Sequence, residues 1–547
     1  MRTLASALLL VFCAMAIAQT SLPPSSPYAV RAFGAVGDGV AKDTAAVQKA
    51  IDACSAGGGG TVYFAPGSYL CGSLHLKSNV TLYLDTAAVI KGSKDIADYD
   101  PYEELGFEND ADRETSFFHQ SLIWGEGVEH IGIVGSGTID SNYEHRGGPK
   151  AVGLKRCKYV EIRGIHVINI PNYAISMLGT DYVTIDGVTI QNGFADGIDP
   201  DACQNVRISN CHIETFDDAI VPKASFSLGE RRACENITVT NCFLGTACSA
   251  FKLGTESGGD FKRIAVSNCV MSGLEGRRPA ISGISLESVD GSNIDGVVIS
   301  NCTMVDCRAP VFIRLGNRGR DMDTPTPGTV RNISINNIVS TGASLSCSVA
   351  GLPGHNIEGV TLSDIRVRFV GGGPHRSDEE VIPEYADEYP EATMFGGLPS
   401  YGLYARHVAG LTLRNVQVFC EKDYWVLSEV RSGKIRWRVD GGMPEPAALS
   451  DPGHAVVCDD VTGLVIDDLK AQASPDGASV MRLINVRDAM VRNSAAPANA
   501  AVFVEVAGEQ SAGIALLGND FSRAQAGLKL DAKTSAEVVR AAGNLEK

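Results

Sequence analysis

One motif recurs down this chain and limits what it can fold into. A run of alternating β-formers carries Asn, Asp or Gly four residues after its start. It reads VEIRGIHV at Val160, VTIDGVTI at Val183, VRISNCHI at Val206, ITVTNCFL at Ile237, IAVSNCVM at Ile264 and VVISNCTM at Val297. It continues as ISINNIVS at Ile333, VTLSDIRV at Val360, LTLRNVQV at Leu411 and LVIDDLKA at Leu464. Alternation with period two predicts strands. The small polar residue suits a corner that needs left-handed backbone or a side-chain-to-backbone bond. One short strand per corner, repeated over some 300 residues, predicts an all-β, right-handed parallel β-helix. A leucine-rich repeat would need its Leu-x-x-Leu-x-Leu pattern and a helix. A propeller would need antiparallel hairpins.

The ends differ from the middle. Residues 1–18 read as a signal peptide: Arg2, an apolar run from Leu4 to Ala16, and Ala16-Ile17-Ala18 as cleavage site. A secreted or periplasmic protein is expected, since the apolar run is too short to anchor in a bilayer. In residues 19–60 one helix is expected over Thr44–Ala56, with Ala45, Val47, Ala50, Ile51 and Cys54 on its apolar face, capping the open end of a solenoid over 61–547. The catalytic rungs are expected at about 160–320. The stretch 368–400, rich in Gly, Pro, Tyr and acid, reads as an inserted loop. Its Tyr385, Tyr389 and Phe395 either stack on sugars or pack on the solenoid wall. The Ala-rich tail from Asp440 reads as further rungs and a terminal cap. The net charge of −17 argues against nucleic acid and anionic membranes as partners. A monomer without cofactor or metal is expected, and no C-x-x-C pair suggests zinc. Cys211, Cys242, Cys269 and Cys302 each follow Asn at one repeat position, which favours an inward column of small side chains over disulfides.

The repeat also predicts a site. Asp196, Asp218 and Ser249 lie 13, 12 and 12 residues after the starts Val183, Val206 and Ile237. Equal offsets stack in a solenoid about 4.8 Å apart, so Asp196, Asp217 and Asp218 should share one patch. Clustered carboxylates on a rigid sheet are what glycosidic cleavage needs. Corner capping is the alternative role for Asp196 and Asp199. His119 and His212 lie in strand-like segments and read as structural.

The stretches FGAVGDGVAKDTAAVQKAID, GVEHIGIVGSGTID and DGIDPDACQNVRISNCHIETFDDAIVPKA resemble glycoside hydrolase family 28, the pectin-cleaving polygalacturonases and rhamnogalacturonases. The resemblance covers about residues 30–320. The family's Asn-Thr-Asp falls on Phe194-Ala195-Asp196, its Asp-Asp pair on Asp217-Asp218, and its following lysine on Lys223. The resemblance implies an exported pectic hydrolase that inverts the anomeric carbon. Asp217 would be the general acid, and Asp196 and Asp218 would hold and deprotonate the water. Mutual repulsion keeps a proton available among three such groups, and Lys223 moderates it.

Two motifs depart from the family. Its Gly-His-Gly falls on Cys248-Ser249-Ala250, and its Arg-Ile-Lys, which grips the substrate carboxylate, falls on Ser285-Leu286-Glu287. Charge reversal there disfavours galacturonate at that subsite and favours a neutral sugar, as in rhamnogalacturonan, unless cations arrive from elsewhere. Lys252, Arg314 and Arg318 are the candidates. Lys223, Ser249, Lys252, Glu256, Ser285, Glu287 and Arg314 are the expected substrate contacts. Two other readings stay open: a Ca²⁺-dependent polysaccharide lyase, with clustered aspartates holding the ion, and a non-catalytic carbohydrate-binding β-helix.

Overall fold

The computed structural model describes residues 26–547 apart from 275, 277, 371–379, 421–452 and 475–476. The signal-peptide stretch and the start of the Ala-rich tail lie outside the described residues. The chain forms a parallel β-helix. All ten motif starts pair in register, rung upon rung: Val160 with Val183, Val183 with Val206, Val206 with Ile237, and so on to Leu411 with Leu464. The long spacings before Leu411 and Leu464 leave this register intact. The column they form is buried, with Val183, Val206, Ile237 and Val297 fully inaccessible.

Physical chemistry explains the corner. The residue four after each start, from Gly164 and Gly187 through Asn210, Asn241, Asn268, Asn301, Asn337, Asp364 and Asn415 to Asp468, has φ between 48° and 72°. Gly, Asn and Asp tolerate that left-handed backbone best. The asparagines also bond to one another: Asn301 Nδ2 donates to Asn268 Oδ1 at 3.3 Å and Asn337 Nδ2 to Asn301 Oδ1 at 2.8 Å. The next residue turns inward. Cys211, Cys242, Cys269 and Cys302 are buried and free, each thiol donating to a carbonyl two residues back at 3.2–3.3 Å.

A helix spans Thr44–Ala56 and buries Val47, Ala50, Ile51 and Cys54. Ala45 is exposed and Ala46 packs on the core in its place, a correction of one position to the expected apolar face. The rungs run on to Val539–Ala542, whose residues are exposed or half-exposed; no cap covers this end among the described residues. No described helix is long and apolar enough to cross a membrane.

Candidate active site

On a second face of the solenoid the outward side chains are charged, yet buried. Strands Lys150–Lys155, Ile175–Leu178 and Ile198–Asp201 pair in parallel there. Bridges from Ile198 to Ile220 and from Ile220 to Phe251 extend the face to Ser249–Leu253, then Ala280–Ser288 and Cys307–Leu315. This register stacks Asp196, Asp218 and Ser249. The Asp218 amide donates to Asp196 Oδ1 at 3.2 Å, and the Ser249 amide to Asp218 Oδ1 at 2.9 Å. Each aspartate is thus oriented by the backbone of the rung after it. Asp217 joins them, its Oδ1 accepting the same Asp218 amide at 3.0 Å. Cys248 approaches the pair, with its thiol and the carboxylate oxygens of Asp217 and Asp218 all within 4.8 Å of one another. At the lost Gly-His-Gly, then, Cys248 presents a side chain and Ser249 presents its amide.

Buried lysines hold this charge together. Lys223 Nζ lies 2.8 Å from Asp196 Oδ2, 3.1 Å from Asp199 Oδ1 and 3.0 Å from the Tyr173 hydroxyl. Lys252 Nζ lies 3.2 Å from Asp218 Oδ2 and 3.7 Å from Glu287 Oε2. Burial opposes the charge on each lysine, but the carboxylates outweigh it and hold both above an ordinary lysine. Burial pushes Asp196 well up and Asp199 to about 7, with Lys223 working against both. Burial thus favours a proton on this pair, and Lys223 opposes it. Asp217 differs. Burial would raise it, but Arg146 outweighs that and keeps its carboxyl below the usual range. The Arg146 guanidinium meets Asp217 Oδ2 at 2.6 Å and also binds Glu114.

Several expected substrate contacts lie elsewhere. Arg314 is 1% exposed and donates to the carbonyls of Ala350, Gly351, Glu384 and Tyr385. It ties down the 380s segment and offers nothing to substrate, which corrects the expectation for it. Ser285 is buried beside Lys252 in the register, with its hydroxyl 2.6 Å from that of Ser282. Glu287, pushed to about 8 by burial, reaches the cluster through Lys252. Glu256 is engaged by Arg320 at 3.3 Å, and Arg318 by Asp290 at 2.6 Å. His119 stacks on Trp124 and pairs with Glu126 at 2.8 Å, and His212 stacks on Phe243 and pairs with Glu214 at 3.1 Å. Sequence reasoning missed Arg146, Glu114, Tyr173 and Lys150. Lys150 is fully buried over the rings of Phe118 and Tyr173 and lowered to about 7 by burial, Asp199 opposing. Tyr173 lies 13 residues after Val160, the offset of Asp196 from Val183, so the repeat itself could have pointed to it, and Lys150 lies one rung further back in the same register. Arg146 and Glu114 lie outside the repeat, so no spacing rule points to them.

Loops cover this face on both sides of the carboxylates. Upstream, the segment from Glu103 to Phe118 folds over it. Glu103 accepts the amides of Phe118 and His119 and pairs with Lys155 at 3.1 Å. Phe118 packs on Leu178, Ala202 and Leu228, and Asp110 exchanges amide bonds with Asp321. Downstream, Ile382 and Phe395 pack against Phe312, Ala350, Tyr404 and Val457. Of the two roles expected for the loop's aromatic residues, Phe395 takes wall packing. Tyr389 is half exposed, with its ring 5.5 Å from Lys252 Nζ.

Residues 77–384 match the sequence profile of glycosyl hydrolases family 28. The chain belongs to that family. Among its relatives, a probable polygalacturonase from Vitis vinifera is 26% identical over 370 residues, which are 62% of this chain and 73% of that protein. A polygalacturonase from Ralstonia nicotianae is 25% identical over 338 residues, 49% of this chain and 61% of that one. The hyperthermoactive exopolygalacturonase from Thermotoga maritima superposes with a TM-score of 0.57 at 20% identity, covering 71% of this chain and 91% of that structure. At that identity the likeness speaks for the fold. This family 28 protein is thus a polygalacturonase-like glycoside hydrolase on a parallel β-helix.

Proposed function

We propose that this enzyme is exported and hydrolyses pectic chains from their ends, with inversion, at Asp196, Asp217 and Asp218. The supporting observation is the backbone-locked column of Asp196, Asp218 and Ser249, with Asp217 beside it and more exposed, at 26% of its side chain. Asp217 gives its proton to the glycosidic oxygen as the bond to the anomeric carbon breaks. Water held by Asp196 and Asp218 attacks that carbon from the other face and leaves its proton on one of them. Attack at chain ends is supported by the two loop clusters. A long polymer laid along the solenoid would run into Phe118 upstream and Phe395 downstream. The missing cation pair at Ser285 and Glu287 supports a substrate with neutral sugars, such as rhamnose, beside its uronates.

The test is digestion of homogalacturonan and rhamnogalacturonan with and without chelator, following reducing ends, viscosity, ultraviolet absorbance and, by NMR, the first anomer formed. We expect one small product of inverted configuration, slow viscosity loss, no absorbing product, no effect of chelator and the higher kcat/KM on the rhamnose-containing polymer. Rapid viscosity loss overturns end attack, an absorbing product overturns hydrolysis, and a clear preference for homogalacturonan overturns the neutral-sugar subsite.

A further inference from the structure

Among the described residues, Arg146 is the one cation touching the three aspartates that solvent reaches freely. Its side chain is 47% exposed, against 5% for Lys223 and 4% for Lys252. It sits in the loop between strands Thr138–Asp140 and Lys150–Lys155. Glu114, from the covering segment, grips one edge of the guanidinium through both carboxylate oxygens, facing Nε and Nη2. The remaining arm, Nη1, is the one on Asp217 Oδ2. Asp217 Oδ1 is already taken by the Asp218 amide. Both oxygens of the general acid therefore accept a hydrogen bond, and the charged one from Arg146 stabilises the ionised carboxylate.

This pairing favours the ionised carboxylate over the protonated one that a leaving group needs. Asp217 faces Arg146 from the loop, Asp196 from the rung before, Asp218 beside it, Cys248 and Lys252 from the rung after, and Lys223. Removing Arg146 from that set leaves Asp217 among carboxylates, with its other cations committed to Asp196 and Asp218. The ligand best suited to remove it is another carboxylate, because a guanidinium edge matches carboxylate geometry. Ser285 and Glu287 offer no cation of their own.

We propose that Arg146 is a specificity-determining residue: its Nη1 edge takes the carboxylate of a uronate sugar, and this exchange frees Asp217 to carry the proton it gives to the leaving oxygen. Glu114 is a positioning residue that keeps the guanidinium in place while its partner changes. Recognition of the anionic sugar and arming of the acid are then one event. A neutral sugar in the same place leaves Asp217 paired with Arg146 and ionised. The proposal rests on the hydrolytic reading for its consequence in turnover, but not for the binding step.

Binding is therefore measured first, by calorimetry on the inert Asp217→Asn protein with a galacturonate trimer and with the same trimer reduced at its carboxyls. Asp217→Asn frees Arg146, so it should bind the acidic trimer more tightly than the intact enzyme does. Adding Arg146→Gln should cost about 10- to 100-fold in affinity for the acidic trimer and leave the reduced trimer unchanged; Glu114→Gln should lower the acidic-to-reduced affinity ratio several-fold. Equal losses on both trimers, or none on the acidic one, overturn the proposal. In otherwise intact enzyme, Arg146→Gln should cut kcat/KM on the acidic trimer at least tenfold and move the basic limb of its pH profile upward, since Asp217 loses the cation that keeps it ionised. A basic limb that stays put overturns the arming step. Charge-selective binding without turnover by any variant or by the intact enzyme would overturn the hydrolytic reading and leave the clamp standing.

Discussion

Each rung presents two outward surfaces built on opposite terms. At the corner, Asn268, Asn301 and Asn337 stand exposed in a chain of amide bonds, and the backbone strain there is of a kind asparagine tolerates. On the catalytic face, fewer than ten residues away in sequence in the case of Cys211 and Asp217, the outward side chains are ionic and buried. Asp196, Asp218, Lys223 and Lys252 are each less than 5% exposed. The corner is repetitive and each part is nearly self-sufficient. The catalytic face is coupled: removing one charge leaves another without its partner. Burial raises the cost of that error, since an unpaired ion in a low-dielectric site loses hydration and gains nothing.

The largest effect should therefore come from the lysine with most partners. Lys223→Met leaves Asp196 and Asp199 buried without their cation, and the loss of a buried ion partner costs roughly 3–5 kcal/mol. Urea or thermal unfolding should show it, together with loss of turnover. A change under about 1 kcal/mol would mean that protonation of the aspartates compensates for the cation, and that the catalytic face is no more coupled than the corner.

Asp217→Asn probes function without touching that network. The amide keeps the size and the contact to the Asp218 amide, and removes the proton to be donated. Turnover should fall by about 10²-fold or more with unfolding little changed. Near-normal turnover in folded protein would sink the assignment of Asp217 as the acid.

What the sequence revealed follows the same division. The corner was fully legible: Asn241 and Asn268 announce left-handed backbone, and the starts Val183 to Leu464 pair as the repeat requires. So was the stacking of Asp196, Asp218 and Ser249, because equal offsets in a solenoid become one column. The roles of Ser285, Arg314 and Arg146 were not legible. They depend on where the segments 103–118 and 380–398 fold, and those segments follow no repeat. Ser285 and Arg314 are in register with the site, yet the Ser285 hydroxyl turns to Ser282 and the Glu384 and Tyr385 carbonyls take the Arg314 guanidinium; Arg146 is outside the repeat, yet a loop carries it to Asp217.

A smaller effect concerns pH. Burial raises Asp199 to about 7, whereas the unfolded chain titrates near 4. The folded state thus binds more protons across that window, and this group's contribution to stability is full below about pH 4 and is lost as pH rises to about 7. Lys150, lowered to about 7, acts in the opposite sense, its contribution growing from about pH 7 to 10.5. Between pH 4 and pH 7, Asp199→Asn should shift stability relative to the parent in the variant's favour by roughly 1–3 kcal/mol. Asp196 is pushed up beside it, so unfolding is compared at several pH values in both proteins. A shift in the other direction would mean that Lys223 holds Asp199 ionised.

The smallest expected effect belongs to the corner. Asn301 has φ of 57°, donates to Asn268 Oδ1 and accepts from Asn337 Nδ2. Asn301→Ala forces a Cβ without a compensating amide into left-handed backbone, at about 1–2 kcal/mol. Asn301→Gly removes the same bonds but relieves the backbone, so it should cost less than alanine does. The two substitutions separate conformation from ladder bonding, because only the first term differs between them. If glycine is as costly as alanine, the exposed amide ladder, and not the left-handed angle, holds the corner. The corner would then be a coupled network like the catalytic face, and Asn268→Gly and Asn301→Gly should combine non-additively in a double-mutant cycle. If glycine is nearly neutral, each corner stands alone, unlike the rungs that carry Asp196, Asp218 and Lys252, which buried charge binds together.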